Sequence, residues 1–204
     1  SGLPLVAIEK DEAFAPELSR LEQEHPNLQV RYEDALRTDL AELTAQGRTV
    51  AVGNIPYQIT SPLLERLLRV EPPFAAIVIM IQREVGLRLA AEPATPEYGA
   101  LTLLARFYAD RPEVIAQLSP GSFHPPPRVH SVVVRFTPRT PPIADRRRRE
   151  LFFAVVRAAF GQRRKQLINA LSGAPGLTLD KRQAAMVLAA AGVDPNRRGE
   201  TLSL

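Results

Sequence analysis

The sequence predicts an α/β protein, a mostly parallel sheet with an antiparallel end, followed by a small all-α C-terminal domain. Three observations predict it. Up to about residue 90, short runs that are apolar throughout alternate with helical stripes of about 10–15 residues, the pattern of a parallel sheet covered on both faces. From Leu101 to Phe136, β-rich runs follow one another with no long helix between them, so the sheet should finish antiparallel. Beyond the proline-rich boundary Thr137–Pro142, "TPRTPP", everything reads helical, which divides the chain into 1–139 and 140–204.

The elements follow in order. Leu5-Val6-Ala7-Ile8 is a short strand ending in Glu9. Residues 11–24 carry Phe14, Leu18 and Leu21 at helical spacing, with Asp11 suited to the N-cap. Leu28–Tyr32 is a second strand, ending in Glu33-Asp34. Leu36, Leu40 and Leu43 form a helical stripe closed by Gly47. Thr49–Val52 is a third strand, and Ser61–Leu68 a helix with Pro62 in its first turn. Phe74–Ile81 is a fourth strand, backed by a helix marked by Val85 and Leu89. Leu101–Phe107, Val114–Leu118 and Val129–Phe136 are the β-rich runs. The last helices are Leu151–Phe160, Arg164–Leu171 and Asp180–Ala191, the last stopped by Gly192.

Composition narrows the function classes. The 204 residues suffice for one core plus a small appended domain, and 45% hydrophobic with 24% charged residues is ordinary for a globular protein. No apolar run approaches the roughly 18 residues that span a bilayer, and no basic-then-apolar leader is seen, so a cytoplasmic protein without a membrane partner is expected. Cysteine is absent, which removes thiolate chemistry, and only His25, His124 and His130 remain as soft ligands; no metal is expected. The net charge of +4 is unevenly spread. Residues 145–204 hold twelve Lys/Arg against five Asp/Glu, while the preceding 144 residues carry a balance of −3. A basic tail on a slightly acidic body suits a polyanion partner, although an arginine-rich solvated helix reads equally well from charge alone.

In an open α/β sheet, ligands bind beyond the carboxyl ends of the strands. Three strands end here in polar residues: Glu9, Asp34 and Asn54. A carboxylate at such a tip can accept from both hydroxyls of a ribose, and three polar tips in register suggest a nucleoside-containing cofactor. Asn54-Ile55-Pro56-Tyr57 is the most informative tip. Proline sets the turn, so a neighbouring carbonyl points in a fixed direction; the asparagine offers a second acceptor and the tyrosine a flat π face. Two acceptors beside an aromatic plate form a receptor for a planar ring bearing an exocyclic amine, such as adenine or cytosine. Accepting both hydrogens turns the nitrogen lone pair toward an electrophile, so catalysis is positioning and electrostatics. Read alone, the four residues are equally a strand-ending turn with Tyr57 packed on the sheet.

Four segments in order resemble the ribosomal RNA adenine dimethyltransferases over nearly the whole chain. "VGNIPYQITSPLL" is similar to the family's Asn-Leu/Ile-Pro-Tyr motif, and "IQREVGLRLAAEPATPEYGALTLL" to its later strand and helix with a Tyr-Gly-x-Leu turn. "FHPPPRVHSVVVRF" is similar to its Phe-x-Pro-x-Pro-x-Val-x-Ser segment, and "RAAFGQRRKQLINAL" to the arginine-rich helix of its small-subunit branch. The resemblance implies a Rossmann-like, S-adenosylmethionine-dependent methyltransferase sheet acting on the N6 amine of adenine. It implies that Glu9 holds the cofactor ribose, and that Asp34 with the backbone near Ala35 addresses its adenine. Asn54 and Pro56 would accept from the target amine, and Tyr57 and Phe123 would sandwich the flipped base. Arg163, Arg164, Lys165 and Arg128 would contact RNA, with the Arg146–Arg149 run contributing.

The small-subunit branch implies dimethylation of adjacent adenosines near the 3′ end of small-subunit ribosomal RNA, within a pre-ribosomal particle, by a monomer. Three other readings remain: an antibiotic-resistance methylase of large-subunit RNA, an N6-adenine methylase of another nucleic acid, and a non-catalytic RNA-binding assembly factor. The chain also departs from the family. It opens at Ser1-Gly2, at what resembles the second strand, and no G-x-G pattern for a cofactor loop occurs anywhere. Omitted residues are the expected reason, and the chain as it stands is expected to bind S-adenosylmethionine poorly. Val6-Ala7-Ile8 and Ala51-Val52 should then lack a neighbouring strand.

Overall fold

The computed structural model describes residues 2–204; Ser1, the first residue of the family resemblance, lies outside them. Among the described residues are six strands and eight α-helices, which alternate up to Ala90 as the apolar runs predict. β1 (Leu5–Glu9) pairs in parallel with β2 (Leu28–Tyr32), in a register that sets Glu9 opposite Tyr32. β3 (Val50–Asn54) pairs in parallel with β4 (Ala76–Gln82), setting Asn54 opposite Met80. β6 (Ser131–Phe136) runs antiparallel to β4, and β5 (Glu113–Leu118) antiparallel to β6, giving the order β3-β4-β6-β5.

Among the described residues, β1 pairs only with β2 and β3 only with β4. The expected unpartnered edges are therefore present. Val50 and Val52 on β3 are 52% and 79% exposed, and Leu5 on β1 is 56% exposed. The sheet is accordingly not covered evenly on both faces. On β4, Ile77, Ile79 and Ile81 are buried while the alternate residues are half-buried, the period-two signature of one well-packed face.

The helices between residues 40 and 161 contribute to the core on that face, and the helix between β1 and β2 lies against β2. α1 (Ala15–Glu24) follows a 3-10 turn capped by Asp11, whose carboxylate accepts the Ala13 N–H at 2.9 Å. α2 (Leu40–Ala45) starts later than the leucine stripe predicts. Asp39 caps it by accepting from the Ala41 and Glu42 amides, while Leu36 sits in the preceding turn, where the Asp34 carbonyl takes the Arg37 and Thr38 N–H groups. α3 (Thr60–Arg69) buries Leu63, Leu64, Leu67 and Leu68 along one stripe, and α4 (Arg83–Ala90) buries Gly86 and Leu89.

Leu101–Phe107, read from the sequence as β, is instead the body of α5 (Ala100–Tyr108). The reason is burial. Leu103, Leu104, Ala105, Phe107 and Tyr108 are all buried, so no polar face exists to reveal a helical period. The start is set by Thr102, whose hydroxyl accepts the Gly99 N–H and donates to the Arg88 carbonyl at 2.6 Å.

The C-terminal helices are α6 (Arg146–Gly161), α7 (Leu167–Leu171) and α8 (Lys181–Ala190). α6 belongs to both halves of the molecule. Its Phe153 joins the sheet core, stacking on Tyr108 at 5.7 Å, while Ala154 and Ala159 join a second cluster with Leu167, Leu171, Leu177, Ala184 and Leu188. α7 is shorter than predicted: residues 162–166 form a turn in which the Lys165 N–H donates to the Gln162 carbonyl. Arg163, Arg164 and Lys165 thus stand on a turn and not on a helix.

Candidate active site

Because β6 is antiparallel to β4, its first residue, Ser131, pairs with the last residue of β4, Gln82, and with the last of β5, Leu118. The carboxyl ends of β3, β4 and β5 and the start of β6 therefore share one edge of the sheet. The segment 119–130, with Phe123 and Arg128, springs from that edge, as does the 3-10 turn Tyr57–Ile59. Elements 74 residues apart in sequence meet here: the Tyr57 Oη and Ser131 Oγ atoms lie 2.8 Å apart.

At the tip of β3, Asn54 and Pro56 are exposed, Ile55 is buried at 5% and Tyr57 is half-buried. The Asn54 side chain makes no hydrogen bond among the described residues. Pro56 does not supply the expected free acceptor. Its carbonyl takes the Ile59 N–H at 3.0 Å and the Thr60 hydroxyl at 3.4 Å, which uses both lone pairs in starting α3. The carbonyl left without a hydrogen bond among the described residues is that of Ile55, which the sequence reading passed over. Its signal lay in the motif, since a proline after Ile55 holds that residue extended and its carbonyl away from the helix. Phe123 is half-buried and its ring makes no contact with that of Tyr57.

The acidic tips lie on β1 and β2. One oxygen of Glu9 accepts the Asp11 N–H at 2.7 Å, leaving the other for a ligand. Asp34 is held more firmly: Oδ1 accepts the Leu36 N–H at 2.9 Å and Oδ2 meets Lys10 Nζ at 3.0 Å. The Leu36 amide first, and then Lys10, keep its carboxyl below the usual carboxylate range. Ala35 packs against the sheet core directly behind this turn. A carboxylate with one oxygen open for a hydroxyl and a second carboxylate at the neighbouring strand tip form a set that fits an adenosine-containing cofactor.

The basic residues divide differently from the sequence expectation. Arg164 and Lys165 are exposed, make no ion pair among the described residues, and line an open groove of about 750 Å³ with Gln166, Asn169, Ser172, Asn196 and Arg198. Arg163 is exposed as well but is held by the protein: its guanidinium donates to the Tyr98 carbonyl at 3.2 Å and pairs with Glu200 at 3.4 Å. The Arg146–Arg149 run is divided too. Arg149 is buried at 9% and pairs with Glu71 at 2.7 Å, Arg146 pairs with Glu150, and Arg147 and Arg148 are exposed. Arg128 is exposed on the loop of Phe123.

A family described as "Ribosomal RNA adenine dimethylase" matches residues 4–204. A ribosomal RNA small subunit methyltransferase A from Clostridium acetobutylicum is 40% identical over 199 residues, 97% of this chain and 71% of the relative. The crystal structure of a dimethyladenosine transferase from Plasmodium falciparum superposes with a TM-score of 0.75 at 24% identity, covering 98% of this chain and 78% of that one. The 23S rRNA methyltransferase ErmE superposes at 0.63 with 22% identity, covering 98% and 77%. These two structures share the mixed α/β methyltransferase fold. With its family match running from the first strand to the last residue, this chain belongs to the ribosomal RNA adenine dimethylase family.

Proposed function

We propose that this protein transfers methyl groups from S-adenosylmethionine to the N6 amines of adjacent adenosines near the 3′ end of small-subunit ribosomal RNA. The carrying observation is the tip of β3, where the Asn54 side chain and the Ile55 carbonyl are both without a partner among the described residues, on the turn that leads into Tyr57. An unspent pair of acceptors on an exposed turn is suited to the two hydrogens of an aromatic amine. The 40% identical relative named for the small subunit favours that branch over the large-subunit one.

S-adenosylmethionine supplies an electrophilic methyl group when bound. Glu9 would hold its ribose hydroxyls, and Asp34, with the backbone at Ala35, its adenine. Asn54 Oδ1 and the Ile55 carbonyl would accept the two N6 hydrogens and turn the lone pair outward; the methyl would pass from sulfur to nitrogen, the neutral thioether would leave, and one N6 proton would go to solvent. The faces of Tyr57 and Phe123 would keep the extruded base out of its stack. Residues 1–139 would thus carry the chemistry. Residues 140–204 would grip RNA through Arg164 and Lys165, with Arg128 on the catalytic side.

Methyl transfer to unmethylated small-subunit particles, read by mass spectrometry of the RNA, tests the reading with the full-length protein. Asn54→Ala should lower turnover by about 10²–10³-fold, the usual cost of one preorganised group, with particle affinity nearly unchanged. Near-normal turnover of that variant would overturn the assignment.

A further inference from the structure

The contact between Tyr57 and Ser131 spans an intervening strand. In the sheet, β4 separates β3 from β6, so the tyrosine at the tip of β3 reaches across the end of β4 to the first residue of β6. Ser131 is fully buried and its backbone is paired on both sides, with Gln82 and with Leu118. It is as rigid an anchor as the sheet edge offers. Its hydroxyl has no other hydrogen-bond partner among the described residues. Tyr57, by contrast, is half-buried on a three-residue 3-10 turn, where its ring would otherwise be free to rotate.

We propose that Ser131 is a positioning residue for Tyr57: it holds the ring by its hydroxyl so that a π face, and not the phenol oxygen, meets the target base. The inference rests on the reaction proposed above and adds to it a residue that touches neither base nor cofactor. Two consequences follow from the geometry. The tyrosine hydroxyl is spent on Ser131 and takes no part in proton transfer. Ser131 also begins the strand that ends the Phe123-bearing segment, so the same bond couples the turn carrying one aromatic plate to the loop carrying the other.

Tyr57→Phe and Ser131→Ala remove the same bond from opposite ends. Each should lower kcat by about three- to tenfold, the worth of one net hydrogen bond, and leave KM for the particle unchanged because the RNA grip lies elsewhere. The double variant should be no slower than the slower single one, since one interaction cannot be lost twice. Ser131→Thr, which keeps the hydroxyl, should restore most of the rate. With 2-aminopurine at the target position, the parent should stack and quench the extruded base, and both single variants should leave it brighter by a similar factor. A purely structural role for Ser131 would lower the melting temperature without changing kcat or the quenching of the folded enzyme, and would overturn the proposal. Multiplying single effects in the double variant would overturn it as well. An active parent matched by Ser131→Ala sinks this inference alone; a parent inactive on every RNA sinks the proposed reaction and this inference together.

Discussion

Neutralising Arg164 and Lys165 should separate RNA grip from chemistry, and the structure sets how large the effect can be. The three consecutive basic residues 163–165 look equivalent in sequence but are not. All three are exposed, but Arg163 is held by the Tyr98 carbonyl and by Glu200, whereas Arg164 and Lys165 have no partner among the described residues and stand on the rim of the C-terminal groove. Two phosphate contacts are therefore available, not three. On single-stranded RNA each contributes about 0.7 to the slope of log affinity against log salt, so Arg164→Gln/Lys165→Gln should flatten the slope by about 1.4. Between 50 and 200 mM salt the parent should then lose about sevenfold more affinity than the variant. Filter binding to small-subunit particles across a salt series measures this, with Arg163→Gln as a third line. Arg163→Gln should run parallel to the parent and instead loosen the contact between the 162–166 turn and the loop at Tyr98. Parallel lines for the double variant would show that Arg164 and Lys165 touch no phosphate. A line for Arg163→Gln flattened by about 0.7 would refute the assignment of that residue to internal pairing.

Two further outcomes test the packing and the cofactor tips. Gly199→Ala should destabilise the C-terminal helices by about 1–3 kcal/mol, because the new methyl would lie 2.8 Å from the Ala159 carbonyl oxygen on α6; an unchanged thermal transition would contradict that approach. Lys10→Met should move the titration of Asp34 up toward the ordinary carboxylate value but not all the way, since the Leu36 amide is the larger cause. The depressed folded value means this carboxylate stabilises the fold above the ordinary carboxylate value and ceases to as pH falls through the folded one, so the variant should lose less stability on acidification. Carboxyl-carbon NMR titration reads it, and an unmoved Asp34 would refute the Lys10 contact.

Much of the fold was legible because its signals are local. The strands to β4, the turn capped by Asp11 ahead of α1 and the helix start at Asp180 follow from runs and residue types a few positions apart. α5 was not legible, because a helix buried all round has the same apolar run as a buried strand. The early end of the predicted helix at Arg164 was hidden for the opposite reason. Arginine, lysine and glutamine are good helix formers, and only the bonds from the Leu167 N–H to the Arg197 carbonyl and the Ile168 N–H to the Pro195 carbonyl tie that turn to the distant 194–198 segment.

The sequence by itself determined the strand tips and what stands on them: Glu9, Asp34, Asn54 and Tyr57 follow from where short apolar runs stop. Tertiary structure alone decided how those groups are spent. Whether an acceptor, a charge or a hydroxyl is free for a ligand depends on neighbours far along the chain. Glu200 and Tyr98 claim Arg163, Glu71 claims Arg149, and Ser131 claims the hydroxyl of Tyr57. Side-chain type is a local property, whereas hydrogen-bond and charge satisfaction is settled by every element that packs around the group.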